Sequence, residues 1–192
     1  MAENREATKV VTSADVRFSY LHAFEPREGL DGGQPKYSVS LVISKDDTET
    51  LNAIDKAVKA AYAAGKDSKL KGKTMKAIKL PLRDGDEERP DDPVYANAMF
   101  VNANNTNQPG IVDKYLRPII NPDDIKSGDY GRAAISFYAY NNKSQGIACS
   151  LNNLMKVTDG DPLSSRTKAA DDFAEFKADF DGADDVEDDS LS

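Results

Sequence analysis

Apolar and polar residues alternate along much of this chain, and a period of two marks strands with one buried face. In 15–24, DVRFSYLHAF, the residues Val16, Phe18, Tyr20 and Phe24 share one parity. The clearest case is 37–43, YSVSLVI, where Tyr37, Val39, Leu41 and Ile43 face one way and Ser38 and Ser40 the other. The segment between them, 25–36, is rich in Pro and Gly and reads as a loop. The period then becomes helical: Leu51, Ile54, Val58, Ala61 and Tyr62 recur at helical spacing. Asp46, Asp47 and Thr48 offer an N-cap, with acids at the positive end of the helix dipole, and Gly65 is placed to end the helix.

Further strands are expected over 94–103 and 132–141, with 147–157 returning as an antiparallel partner across the turn NNKSQG. IVDKYLRPII holds one short extended piece, because Pro118 cannot donate to a ladder. Residues 1–14 are polar and read as a flexible N-terminus, and 166–180 as one or two helical turns. The sum is a mainly β chain, a small antiparallel barrel with one main α-helix over 15–168, followed by a disordered tail over 169–192.

Charge is segregated along the chain. The 192 residues carry 25 basic and 33 acidic side chains, net −8. Residues 169–192 hold ten acids and one base, Lys177, which leaves 24 basic and 23 acidic residues in 1–168. A nearly neutral body with an acidic arm is compatible with nucleic-acid binding, because the arm can compete with phosphate for a basic groove or recruit partners. It is equally compatible with a tail that only keeps the protein soluble. One cysteine, Cys149, excludes an internal disulfide framework, and one histidine, His22, leaves little for a His-based metal site or a catalytic triad. The charged N-terminus shows no signal peptide, and no run approaches the roughly 18 apolar residues of a membrane helix. A cytoplasmic protein without cofactor or metal is the expectation.

Strand 132–140 carries the most chemistry. Ile135, Phe137 and Ala139 share the core parity, while Arg132, Tyr138 and Tyr140 share the other. Tyrosines beside an arginine make a stacking platform next to a phosphate contact, which single-stranded DNA binders use because every base has a π-face and every nucleotide a charge. The same tyrosines could instead close a barrel end. Lys36, Lys79, Arg83 and Lys143 lie at strand ends or loops where groove walls form, and Tyr20 and Tyr37 are further contact candidates, although the parity of Tyr37 places it with the core. Arg117 lies at a similar place. Lys66, Lys69, Lys71, Lys73, Lys76 and Lys79 form a basic stretch that either tracks a phosphate backbone or is a solvated linker. The acidic run 84–92 fits no EF-hand and reads as a solvated loop. No Walker loop, G-x-G-x-x-G or G-x-S-x-G is present, so an enzyme is not expected.

Several motifs converge on one family. FSYLHAFEP (18–26), KYSVSLVISKDD (36–47), LPLRDGDEE (80–88), FVNANN (100–105), QPGIVD (108–113) and YGRAAISFYAYNNKSQGIACSLNNLMKVTDGDPL (130–163), with the acidic end, resemble the phage-encoded single-stranded DNA-binding proteins, first catalogued as a domain of unknown function. The resemblance runs in order from about residue 14 to about 176. It implies an OB-fold, DNA binding without sequence preference in replication, recombination or repair, and an acidic arm that meets replication or recombination proteins and competes with DNA. Asp179, Asp181, Asp184, Asp185, Glu187, Asp188 and Asp189 would form that arm. The chain ends in DDSLS, and Phe180 is its last aromatic, so docking through a terminal aromatic is not implied. The alternative is an interaction protein whose barrel and tail bind protein. An exposed strand edge also leaves room for self-association.

Overall fold

The computed structural model describes residues 6–29 and 32–163. Its strands are β1 (Lys9–Val11), β2 (Val16–Arg27), β3 (Lys36–Ser44), β4 (Leu82–Asp84), β5 (Ala98–Asn105), β6 (Gly110–Asp113), β7 (Tyr130–Asn141) and β8 (Gln145–Thr158). The main helix, α1, is Thr48–Gly65, and a short one, α2, is Gly85–Glu88. Five strands pair in a closed ring, β2–β3–β5–β8–β7 and back to β2. All of these pairings are antiparallel except β5 with β8, where Ala103 pairs with Cys149 and Asn104 with Ser150 in parallel. The mostly antiparallel arrangement expected from the alternation, OB-fold-like as the resemblance implies, is therefore present, with one parallel seam in the ring. β1 adds to the edge of β7, β6 to β8 and β4 to β5.

Side chains of one parity fill the ring. Phe18, Val39, Leu41, Ile43, Val101, Ala103, Ile135, Phe137, Cys149 and Leu151 are buried together. Burial pushes the Cys149 thiol far up, so it is protonated and inert at neutral pH. Helix α1 closes the ring with Ile54, Ala57, Val58 and Ala61. Its N-cap is Asp47, whose Oδ1 accepts from the Thr50 amide at 3.1 Å. Gly65 is the last helical residue and not a left-handed stop, since Lys66 beyond it is still right-handed. It is glycine because a Cβ there would lie 2.2 Å from Cβ of Ala139. Residues 9–11, expected in a loose N-terminus, form β1 opposite Ala134–Ser136, and the Thr12 amide donates to the Ala133 carbonyl at 3.1 Å. The expectation for 166–180 lies outside the described residues.

The acidic run exposes Asp86, Glu87, Glu88 and Asp91, as a solvated segment does, but it is tied to the body of the protein. Lys45 reaches both Asp84 at 2.8 Å and Asp86 at 2.7 Å, and Asp86 also accepts from the Asn97 amide. These contacts fold 82–97 down onto the outer face of β3 and β5. There Tyr95, Val42, Ala98 and Phe100 make a second, smaller core. Tyr95 belongs to a 3-10 turn, Pro93–Tyr95, and the strand expected from 94 begins only at Ala98. The fully buried Tyr95 hydroxyl bridges Ser19 Oγ and Ser40 Oγ, each at 3.1 Å.

The far end of the ring is organised by Asp129, fully buried before β7. Lys126 Nζ lies 2.7 Å from its Oδ1 and Lys156 Nζ 3.1 Å from its Oδ2, while the Gly160 amide donates to Oδ1. Burial opposes its ionisation, but these hydrogen bonds prevail and hold its carboxyl below the usual range. The same region ties down the departing chain: Arg17 donates to the Asp161 carbonyl and the Leu163 amide to the Ser127 carbonyl.

Two stability experiments follow. Tyr95→Phe leaves the buried Ser19 and Ser40 hydroxyls without their bridge, and urea denaturation should show a loss of about 1–2 kcal/mol. Asp129→Asn should cost about 2 kcal/mol at neutral pH, because it removes the buried carboxylate that Lys126, Lys156 and the Gly160 amide share, while both ammonium groups keep Asp159. A depressed native carboxyl pKa stabilises the fold above the unfolded value and stops doing so as pH falls through the native value. The difference between Asp129→Asn and the parent should therefore shrink on acidification, and a constant difference would refute this role.

Candidate nucleic-acid interface

The outward parity builds a polar surface around the ring. Successive cross-strand partners run His22–Ser38, Ser38–Asn104, Asn104–Ser150 and Ser150–Ser136. Opposed residues share a face, so these form one polar row between strands whose alternate residues are core. His22 is held mainly neutral, because partial burial and the nearby Arg27 lower its pKa.

Tyr20 stands beside this row. The β2–β3 register breaks between Ser19 and His22, and Tyr20 takes a left-handed φ of 48°. The break reverses the alternation, so Tyr20, expected with the core on parity, is 57% exposed. Left-handed backbone costs an L-residue on the order of 1 kcal/mol, and such strain concentrates at functional positions. The Arg89 guanidinium lies 5.3 Å from the Tyr20 ring centre and 4.5 Å from that of Tyr95. Arg83 lies 4.9 Å from the Phe100 ring and is already paired with Glu88, so its charge is partly committed.

At the start of β3, Lys36 pairs with Arg27 across the ladder. Like charges placed opposite one another repel, and among the described residues neither makes an ion pair. Tyr37 is partly buried on the core parity, opposite Asn105.

A second group gathers at the β7–β8 turn. Tyr138 is 45% exposed, and its partial burial raises its pKa. Tyr140 shares its face and lies across Gly146, where a Cβ would sit 2.9 Å from the Tyr140 hydroxyl and 2.5 Å from the Lys79 carbonyl. Only glycine permits that approach. Lys79 is drawn in by its backbone, its amide donating to Gln145 O and its carbonyl accepting from the Ile147 amide. Lys143 projects from the turn itself. The basic stretch 66–79 is anchored by the fully buried Leu70 and by Gln145, which donates to the Lys69 carbonyl. Tyr138, Tyr140, Lys79 and Lys143 thus come together. Arg132 does not join them: it lies six residues from Tyr138, about 20 Å along a strand, and its Nε is 3.3 Å from Asp15.

Arg27 and Arg89 escaped the sequence reading. Arg27 belonged to a segment read as loop, and Arg89 to one read as a solvated acidic run. Alternation carries no signal for either. The tail residues Asp179, Asp181, Asp184, Asp185, Glu187, Asp188 and Asp189 lie outside the described residues. Among the described residues no group of three or more His, Cys, Asp or Glu could hold a metal ion, and no helix is long and apolar enough to cross a membrane.

Comparison with known proteins gives a consistent picture. A putative protein, p50, of Acyrthosiphon pisum secondary endosymbiont phage 1 is 28% identical over 156 residues, covering 78% of this chain and 84% of the relative. The single-stranded DNA-binding protein of bacteriophage Enc34, solved in complex with single-stranded DNA, is 28% identical with a TM-score of 0.67, over 81% of this chain and 88% of that one. A C-terminally truncated form gives 26% identity and a TM-score of 0.68, over 81% and 87%. The single-stranded DNA-binding protein of bacteriophage T7 shares the fold at 17% identity and a TM-score of 0.56, over 83% and 97%. The model of the Enterobacter phage Enc34 ssDNA-binding protein family matches residues 8–189, and the chain belongs to that family.

Proposed function

We propose that this protein binds single-stranded DNA without sequence preference, as a non-enzymatic coat for strands exposed in phage replication, recombination or repair in the host cytoplasm. The observation that carries the reading is Tyr20. It is an exposed aromatic held in strained backbone against Arg89, beside a polar row that runs toward Arg27 and Lys36, cations without an ion pair among the described residues. Stacking surface and phosphate contact are what a sequence-tolerant site needs. The place agrees: in OB-folds the face of the second and third ring strands, with the loops joining strands one to two and four to five, binds oligonucleotides. Here these are β3 and β5, loop 28–35 and the β7–β8 turn. Family membership, with a solved relative in complex with single-stranded DNA, supports the same reading.

On this reading Tyr20, Tyr138 and Tyr140 stack bases, while Arg27, Lys36, Arg89, Lys79 and Lys143 meet phosphates. Tyr37 contributes an edge at the ring mouth, and Arg83 and Arg132 contribute only if their carboxylate partners release them. The acidic tail competes for the same surface or recruits replication or recombination proteins. Its point of departure supports competition. Leu163 is bonded to the Ser127 carbonyl, and Ser127 Oγ accepts from the Leu21 amide, next to Tyr20.

Two experiments test this. Tyr20→Asn keeps a residue that tolerates left-handed backbone and removes the ring. It and Tyr138→Ala should each weaken oligo-dT binding about tenfold in fluorescence anisotropy, and unchanged affinity for both would overturn the interface. A chain ending at Ala178 should bind more tightly than the full chain, most clearly at low salt where electrostatic competition is strongest. Equal affinities across a salt series would remove the competing role of the tail.

A further inference from the structure

The turn after β6 is built unlike a solvent loop. Seven large apolar side chains are exposed among the described residues, and three of them, Tyr115 at 66%, Leu116 at 68% and Ile120 at 80%, lie within this one turn. It is rigid. Asp113 accepts from the Tyr115 amide at 2.8 Å, the Arg117 amide at 3.0 Å and Arg117 Nε at 2.8 Å, and Val112 bridges Pro118. Leu116 is held at φ 65°, a costly region for a branched apolar residue. Lys114 and Arg117 lie 5.3 and 5.0 Å from the Tyr115 ring centre. Strained, exposed and apolar, with cations at the rim, the turn is a knob made to be covered.

The chain carries a segment of complementary chemistry. In 171–181, DDFAEFKADFD, Phe173, Phe176 and Phe180 are spaced by three and four among Asp171, Asp172, Glu175, Asp179 and Asp181. Aromatic positions three and four apart, flanked by acids, give the segment apolar anchors among negative charges. The reach is short. Lys156 pairs in register with Asp113 and donates to the Asp124 carbonyl, so the Asp124–Ser127 loop that holds Leu163 abuts the base of the knob. Phe173 lies ten positions beyond Leu163, enough to span about 33 Å when extended. A tethered segment meets a nearby surface at millimolar effective concentration.

We propose that the knob Lys114–Ile120 is a docking site for segment 171–181 of the same chain, which leaves the acids from Asp184 to Asp189 to compete at the proposed DNA surface. The contact needs no DNA, so it stands or falls independently of the function proposed above. The test is NMR on the full-length protein without DNA, watching the Tyr115 ring and the Leu116 and Ile120 methyls. Cross-peaks from these groups to the Phe173, Phe176 and Phe180 rings, lost in Phe176→Ser/Phe180→Ser and in Leu116→Ser/Ile120→Ser and unchanged on dilution, are the expected result. Since Leu116 and Ile120 are exposed, the second variant should keep the core methyl spectrum of the parent. Knob resonances that ignore the phenylalanine substitutions would overturn the proposal. So would cross-peaks that vanish on dilution, which would assign the contact to a second copy, or knob shifts induced only by added oligo-dT, which would make the knob a DNA contact.

Discussion

Strand β7 is the constraint on which the rest depends. It pairs with β1 along one stretch, with β2 at its start and with β8 along its whole length, so it both closes the ring and carries the hairpin tip. Three ladders fix its register, and a slip of one residue would exchange every inward and outward side chain. Because Ala133, Ile135 and Phe137 must be inside, Arg132, Ser136, Tyr138 and Tyr140 are outside. The exposure of its tyrosines is thus enforced by the burial of their neighbours.

The outer face of β2, β3 and β5 is governed differently, by what covers it. The polar residues there, Ser19 and Ser40, would be costly to bury alone, and the Tyr95 hydroxyl satisfies both. Covering this patch requires 82–97 to fold back, and the Lys45 ion pairs with Asp84 and Asp86 hold it there. The fold-back also brings Arg89 against Tyr20. A structural demand at one end of the face therefore positions a cation beside the exposed ring at the other.

These two mechanisms explain what was legible in the sequence. Where alternation runs unbroken, as in 37–43 and 132–141, strand and inward face follow from the residues alone, although Ser40 and Val42 on the other face are also buried, under 82–97. At Tyr20 a single bulge reverses the alternation, and nothing in FSYLHAF marks it. Arg89 was invisible because its position depends on a fold-back driven by Tyr95, a residue that reads as one more strand position. Gly65 does end the helix, as a glycine after a helical run suggests, but the reason it is glycine is tertiary and not local: it makes room for Ala139. Tertiary contact, in each case, supplied what the local signal did not.

Charge segregation acquires a geometric meaning at the Asp129 cluster. A long acidic arm on a freely moving stem would sample the whole surface, and its effective concentration at any one place would be low. Here Asp129 fixes Lys126, Lys156 and Gly160, and the bonds from Arg17 and Leu163 carry that order to the end of the described chain. The described chain therefore ends at one point, between the base of the 114–120 turn and the backbone beside Tyr20. On the function proposed above, the arm's acids and a phosphate backbone would draw on the same cations, with salt screening both attractions over about 8–10 Å. The difference between them would lie in tethering: the arm's share would be set by its attachment, whereas that of DNA grows with its concentration. Anchoring at Leu163 would then convert a simple surplus of acid into a threshold that a strand must exceed before it displaces the arm.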